Sequence, residues 1–174
     1  MMRIAIPSSA GLRRALPLAA MGLALLDVAS PPAWAGGGCD QTTNPITISQ
    51  TQAISYGTIA VTNGGGTVTI SPTGTVAAPG GYTVSGATSA GKFHVTGKQN
   101  CSVIISFIAG SLTGPGAAMA IGNFTNDAGA SPSLNIVGAG TLGSLDFSVG
   151  ADLTVNPNQS GGSYSGTYSV TVIY

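Results

Sequence analysis

Residues 162–174 read GSYSGTYSVTVIY, and this stretch carries the clearest structural signal in the chain. Five of its apolar and aromatic residues fall on even positions, while the odd positions from 163 to 171 hold serine and threonine. Alternation with a period of two is typical of a β-strand that packs one face on a core. The stretch therefore predicts a structural C-terminal strand with this inward set: Tyr164, Tyr168, Val170, Val172 and Tyr174.

The same alternation recurs from Ile46 onward, and helical periodicity is absent. The alternating stretches are separated by turn-forming clusters such as Pro79-Gly80-Gly81 and Asn156-Pro157-Asn158. Repeated short strands with such breaks are typical of two packed antiparallel sheets. We predict an all-β fold, a single immunoglobulin-like antiparallel β-sandwich over residues 46–174. Its core is expected to include Ile54, Tyr56, Val68, Ile70, Phe93, Val95, Ile105, Phe107, Met119, Ile121 and Leu153.

The beginning of the chain has the organisation of a cleavable export signal. Arg3 and Arg13 supply a basic start, and residues 15–29 form an apolar run that is interrupted by Asp27. A transmembrane anchor is the alternative, but it needs about 20 apolar residues, and this run is shorter. We predict a signal peptide over residues 1–35 and no membrane span in the mature protein.

A candidate cleavage site follows the apolar run. Ala33 and Ala35 are small residues on either side of Trp34, a pattern typical of signal-peptide cleavage. The mature chain is therefore expected to begin at Gly36. A lipoprotein acylated on Cys39 is the alternative, but glycines occupy the three positions before that cysteine, where a lipoprotein signal has a leucine-like residue.

The chain holds two cysteines, Cys39 and Cys101. An even count behind an export signal indicates an oxidising compartment and a disulfide; two free thiols are the alternative. The bridge would tie an N-terminal segment, residues 36–45, to the domain at residues 46–174, and would stabilise the fold by about 4 kcal/mol. We expect it to be shielded, because Cys101 shares the inward parity of the strand that follows.

Charged residues make up only 6 % of the chain, against about a quarter in an average globular protein. Beyond residue 36 there are two lysines and four aspartates, with no arginine and no glutamate. Acid–base catalysis, metal coordination and nucleic-acid binding each need clusters of polar or charged side chains. The composition therefore predicts that the protein is not an enzyme, binds no nucleic acid, and has no catalytic residue, cofactor or metal ligand.

Two motif-like features have simpler interpretations. Residues 138–143 read GAGTLG and match the dinucleotide pattern GxGxxG, but residues 144–149 alternate like a strand where that motif requires a helix. His94 is the one histidine, and its parity places it outward between the inward Phe93 and Val95. We interpret the glycines as turn residues and His94 as a surface side chain.

Residues 54–59 (ISYGTI) and 66–72 (GTVTISP), with 145–155 (LDFSVGADLTV) and 162–174, carry a family resemblance. Over about residues 46–174 the chain resembles the exported bacterial family known as domain of unknown function 4402. The resemblance implies an exported β-domain. It implies no activity and transfers no catalytic residue.

A more distant likeness is to pilin subunits of chaperone-usher systems. The last strand alternates apolar residues, is preceded by Gly161 and finishes on Tyr174, whereas those subunits usually have their aromatic residue in the penultimate position. The likeness implies assembly by exchange of a donor strand between subunits. For that purpose residues 43–49 offer only Ile46 and Ile48 as apolar side chains.

Export, hydroxyl-rich outer faces and the closing strand together predict an exported, non-enzymatic surface or fimbria-like structural subunit that acts through strand packing and subunit contacts. Its expected partners are copies of itself, other surface subunits or a periplasmic chaperone, in the periplasm, at the cell surface or outside the cell. The alternative is a small extracellular ligand- or glycan-binding adhesive module. Tyr164, Tyr168 and Tyr174 could form its stacking platform, but their shared parity favours the core.

We expect the exported protein to begin at Gly36, because the small residues that flank Trp34 lie closest to the end of the apolar run. The intact mass of protein purified after export measures this directly. A mass that includes Trp34, or one that carries acyl chains on Cys39, contradicts the prediction.

Overall fold

The computed structural model describes residues 2–6, 38–61, 64–136 and 142–174. Their regular structure is all β, as the alternation predicts, and none of them belongs to a helix that is long and apolar enough to cross a membrane. The strands are β1 Met2–Ile6, β2 Thr47–Gln52, β3 Ile54–Val61, β4 Gly66–Ile70, β5 Val76–Ala77, β6 Tyr82–Ser85, β7 Gly91–Lys98, β8 Ile104–Thr113, β9 Met119–Asn126, β10 Asn135–Ile136, β11 Leu142–Val155 and β12 Gly162–Ile173.

The strands are hydrogen-bonded in the order β2-β7-β11-β9-β8-β12-β1-β3-β6, with β4 and β10 on β11 and β5 on β4. Only the pairing between β1 and β12 is parallel among these strands. Ala53 alone separates β2 from β3, yet β2 pairs with β7 while β3 pairs with β1 and β6. Because β2 and β3 are consecutive in the chain, the two ends of the strand order lie close together. The sheet therefore folds around a single core as a β-sandwich.

The longest strand, β11, runs through the middle of the fold. Its first part pairs with β7 over Leu142–Val149, and its last part pairs with β4 over Ala151–Val155. On its other edge it pairs with β9, with a register shift between Gly150 and Asp152. This strand therefore joins β7 and β4, which lie end to end along the same edge.

Most of the predicted core residues are buried. They include Ile54, Tyr56, Val68, Ile70, Val95, Met119, Ile121 and Leu153, each 0 % exposed, and Phe93 at 1 %. Ile105 and Phe107 are only partly buried, and Leu112, at the opposite parity of the same strand, is fully buried. The burial of Leu112 follows from a register shift opposite Thr167 and Ser169 in β12, because the extra residue of a bulge on β8 exchanges the two faces of the strand beyond it.

The closing strand β12 pairs with β8 on one edge and β1 on the other. Tyr164, Tyr168, Val170 and Val172 are buried, and Tyr174 is partly buried against the core. The Tyr168 ring stacks on Phe124 at a centroid distance of 4.9 Å and meets Phe93 edge-on at 6.4 Å. This strand thus contributes a large share of the aromatic packing.

Two buried tyrosine hydroxyls differ in their hydrogen bonds. The Tyr56 hydroxyl in β3 donates to the carbonyl oxygen of Ala151 in β11 at 2.8 Å. The Tyr168 hydroxyl has no hydrogen-bond partner among the described residues. Burial raises the pKa of both phenols above the ordinary value, so both are uncharged at neutral pH.

This difference predicts opposite outcomes for two conservative substitutions. Tyr56→Phe should lower the free energy of unfolding by about 1 kcal/mol, because it removes a buried donor from the carbonyl of Ala151. Tyr168→Phe should leave stability unchanged or raise it, because a hydroxyl without a partner costs free energy in the core. Urea unfolding of both variants measures the difference. An equal loss in the two variants contradicts the assignment.

Candidate functional site

The most unusual feature of the sheet is the place of β1, which lies between β12 and β3. It runs parallel to β12, where Met2–Ala5 face residues 162–165, and antiparallel to β3, where it faces residues 54–59. Among the described residues, no direct pairing joins β12 to β3. We call the two edges of β3 and β12 that face each other across β1 the seam. Since β1 belongs to the predicted signal peptide, the seam is our candidate functional site.

The register across the seam places apolar residues of β1 opposite buried residues of the domain. The pairs are Met2 with Ile59, Ile4 with Tyr164, and Ile6 with Ile54. Each of these three partners is at most 2 % exposed. The intervening Arg3 and Ala5 are paired with hydroxyl-bearing residues: Thr58, Ser163, Ser55 and Ser165. The seam therefore matches a strand that is apolar at alternate positions.

A β-bulge at Gly57 shapes the β3 edge of the seam. The register with β1 skips Tyr56, and Gly57 has a φ of 68°, in the left-handed region. A Cβ atom at this position would lie 2.6 Å from the carbonyl oxygen of Ser85. The bulge changes the parity of β3, so that Tyr56 and Ile59 are both buried.

Both edges of the seam are held by contacts that do not involve β1. On the β3 side, β6 pairs over Thr58–Val61 and the Tyr56 hydroxyl reaches β11. On the β12 side, the Tyr164 hydroxyl donates to the carbonyl of Ser160 at 2.9 Å and accepts from Gln159 Nε2 at 2.7 Å. The hydroxyl of Tyr174 also accepts the backbone N–H of Lys98 at 2.6 Å.

The outer face of β8 and β12 carries an exposed apolar stripe, toward the end of β12 that lies away from the seam. Ile104 and Ile173 are register partners on β8 and β12, with 49 % and 44 % exposure, and Ile108 nearby on β8 is 63 % exposed. The parity argument describes this face as hydroxyl-rich and misses the stripe. The sequence carries one local sign of the stripe, because Ile173 is an apolar residue at an odd position, where the preceding odd positions hold serine or threonine.

The structure joins Cys39 to Cys101, with their Cα atoms 5.6 Å apart. Cys101 is 3 % exposed, but Cys39 is exposed, so the expectation of a shielded bridge is wrong at that end. The difference arises because residues 38–45 form a surface turn rather than a strand of the sandwich.

That surface turn is organised by Asp40. Its carboxylate accepts the backbone N–H of Thr42 at 2.9 Å and both the N–H and the hydroxyl of Thr43, at 2.8 and 2.5 Å. These bonds, that from the Thr43 hydroxyl first, hold the pKa of Asp40 below its ordinary value.

The other residues considered from the sequence do not gather at one place. His94 lies at the surface and its Nδ1 is 2.6 Å from Asp146 Oδ1, a pairing set by the register of β7 and β11. Asp152 accepts from the Thr69 hydroxyl at 2.6 Å and from Asn123 Nδ2 at 3.0 Å. Within the described residues, no three His, Cys, Asp or Glu side chains come together as a metal site would require.

Parts of two features predicted from the sequence, the cleavage site and the GxGxxG pattern, are not among the described residues. Ala33, Ala35 and Gly36 of the cleavage site lie outside the described residues, as do residues 137–141, which include most of the GxGxxG pattern. The residues that follow this pattern belong to β11, so a strand and not a helix comes after it.

Comparison with known proteins gives one informative result. The model of the family described as Domain of unknown function (DUF4402) matches residues 46–174. The search of curated proteins and the search of solved structures give no match. The match covers the sandwich from just before β2 to the end of β12.

The bulge at Gly57 generates a stability prediction with a matched control. Gly57→Ala should lower the free energy of unfolding by at least about 1–2 kcal/mol, because alanine is strained at positive φ and its Cβ meets the backbone of Ser85. Gly80→Ala should be neutral or slightly stabilising, because nothing lies within 4 Å of its added Cβ. Thermal unfolding compares the two variants, and equal stability would contradict the bulge.

Proposed function

We propose that this chain, which belongs to the DUF4402 family, is an exported, non-enzymatic structural subunit of the bacterial surface that acts through strand packing and subunit contacts. Copies of itself, other surface subunits and a periplasmic chaperone are the partners that suit this role. The description of the family names no activity, so the proposal rests on the chain's own features.

The observation that carries the proposal is the origin of β1. This strand alone, among the described residues, lies between β12 and β3, and it comes from the predicted leader. A chain that begins at Gly36 lacks it, so two strand edges are left without their partner. Unpaired edges readily pair with strands of other chains, which natural monomers usually prevent.

The surface of β8 and β12 supports the same role. Charged side chains on edge strands are a common means of preventing association, and residues 162–174 contain none. The exposed stripe of Ile104, Ile108 and Ile173 adds apolar area that a partner could cover. The disulfide is consistent with an oxidising, exported location.

The polar groups support a role without catalysis. His94 is engaged with Asp146, both carboxylate oxygens of Asp152 accept hydrogen bonds, and Asp127 accepts the backbone N–H of Ser148 at 2.7 Å. These contacts suit side chains that stabilise strands and turns. Two of the tyrosines considered as a glycan-stacking platform, Tyr164 and Tyr168, are buried, which favours packing in the core over contact with a glycan.

The exposed isoleucines allow a matched test of the proposal. The full chain with its leader is expressed in its native host, and surface assemblies are separated by size and by electrophoresis without heating. We expect heat-sensitive assemblies that contain the chain. Ile108→Lys should reduce them, whereas Leu142→Lys, at the same 63 % exposure on β11, should not. A folded wild-type protein that stays monomeric, or an equal effect of the two lysines, contradicts the proposal.

A further inference from the structure

We infer that the outer face of β8 and β12 packs flat against the same face of a second copy of this chain. The two copies are related by a two-fold axis that runs along the strands, between β8 and β12. The inference rests on the proposed function, since it takes the subunit contacts to include contacts between copies. It adds the face that makes the contact, the partner that covers it and the orientation of the two copies.

The charged side chains of the mature chain are kept away from this face. The strands β8, β9 and β12 contain no charged residue. Both lysines lie in β7, and two of the four aspartates lie in β11. The other two, Asp40 and Asp127, lie outside the strands and accept backbone N–H groups. Two copies can therefore bring these faces together without repulsion between like charges.

The register of β8 with β12 arranges the face in five rows, each with one residue from either strand. The first, second and fourth rows pair two hydroxyl-bearing residues, beginning with Thr113 and Ser165. The third row pairs Ile108 with a serine, and the fifth pairs Ile104 with Ile173. One of the ten side chains is half-buried and the others are exposed. The face is thus a ladder of hydroxyls that ends in an apolar patch.

The hydroxyls of this face are available to a partner. Thr113 donates to the carbonyl of Ser165 at 3.5 Å, and within the described residues no other hydroxyl of the five rows forms a hydrogen bond inside the chain. By contrast, the hydroxyls of Thr47 and Thr96 bond to each other across β2 and β7 at 2.6 Å. A hydroxyl both donates and accepts, so a face of hydroxyls is complementary to its own copy.

The order of the rows fixes the orientation of the two copies. With the axis along the strands, each row meets the same row of the other copy, and β8 lies opposite β12. Ile104 then meets Ile173 of the other copy, and the hydroxyl rows meet hydroxyl rows. A copy turned end over end would place the isoleucines of the fifth row against the hydroxyls of Thr113 and Ser165. That arrangement would lose the apolar match and leave hydroxyls without partners.

The size of the face predicts a weak contact. Five rows span about 27 Å along the strands, and with β9 the face is about 14 Å wide, near 400 Å² in projection. A standard stable interface buries about 800 Å² on each partner. We therefore expect a reversible dimer at high concentration rather than an obligate one. Copies held side by side in an assembly would associate further, because their effective concentration is high.

Sedimentation velocity over a range of concentrations tests the contact. The full chain is expressed with its leader, and the exported product is purified. We expect a reversible rise toward twice the monomer mass as the concentration increases. Thr171→Lys places like charges in the fourth row of both copies and should weaken association at least about tenfold. Thr154→Lys, at an exposed threonine of β11, is the matched control and should leave association unchanged.

A charge exchange separates the contact from a general effect on folding. Thr171→Asp alone should weaken association as the lysine does. An equal mixture of the Thr171→Lys and Thr171→Asp proteins should associate more strongly than either alone, because opposite charges then share a row. Circular dichroism confirms that each variant is folded. A mixture that associates no better than its components overturns the inference.

Cysteine cross-linking tests the orientation. Ser111→Cys in one protein should react with Thr167→Cys in another through a short bismaleimide, because these residues share the second row. It should not react with Ser106→Cys, which lies two rows away. Linkage to Ser106→Cys instead would mean that the copies are turned end over end, and would overturn the stated orientation.

The outcomes distinguish this inference from the proposed function. A product that stays monomeric at high concentration overturns the inference, and surface assemblies in the native host would then still support the proposed function. A monomer that binds an insoluble polysaccharide, with binding lost in Thr171→Lys, means that the face is a glycan site and also overturns the inference. A dimer with the predicted charge dependence but without surface assemblies supports the inference and contradicts the proposed function.

Discussion

The two-sided pairing of β12 is the constraint on which the rest of the structure depends. Its buried face supplies Tyr164, Tyr168, Val170 and Val172 to the core, and this packing holds only while the strand stays in the sheet. One edge is secured by β8, which the domain itself provides. The other edge is secured by β1, which comes from the predicted leader. The last strand is thus paired within the family domain on one side, and on the other side it depends on β1, which lies outside that domain.

This asymmetry connects the fold with the proposed role. A sandwich that completes all its own strand pairs has little reason to associate, whereas one that lacks a strand gains backbone hydrogen bonds and core burial at the same contact. The few charges of the chain and the exposed Ile104, Ile108 and Ile173 are consistent with a surface made for packing. Family membership alone contributes the boundaries of the domain and no chemistry.

Much of the fold follows from alternation in the sequence, because burial on one face imposes a period of two. Parity identified the burial of residues such as Phe93, Val95 and Leu153. It misses Ile59 and Leu112, each of which follows a bulge, since the extra residue of a bulge leaves no mark in the pattern. The seam could not be predicted, because residues 2–6 have the sequence of an export signal and their place in the sheet depends on strands far away in the chain.

The pairing of β12 with β8 also has a mechanical consequence. The register joins eight residues of β12, from Ser165 to Ile173, to β8 in antiparallel orientation. A tension applied along these strands loads their hydrogen bonds together, in shear, whereas a pull across the sheet opens them one after another. A subunit linked to its neighbours through β12 would therefore resist traction along the strand far better than peeling from the side. The orientation of this strand sets the direction in which an assembly of such domains is strong.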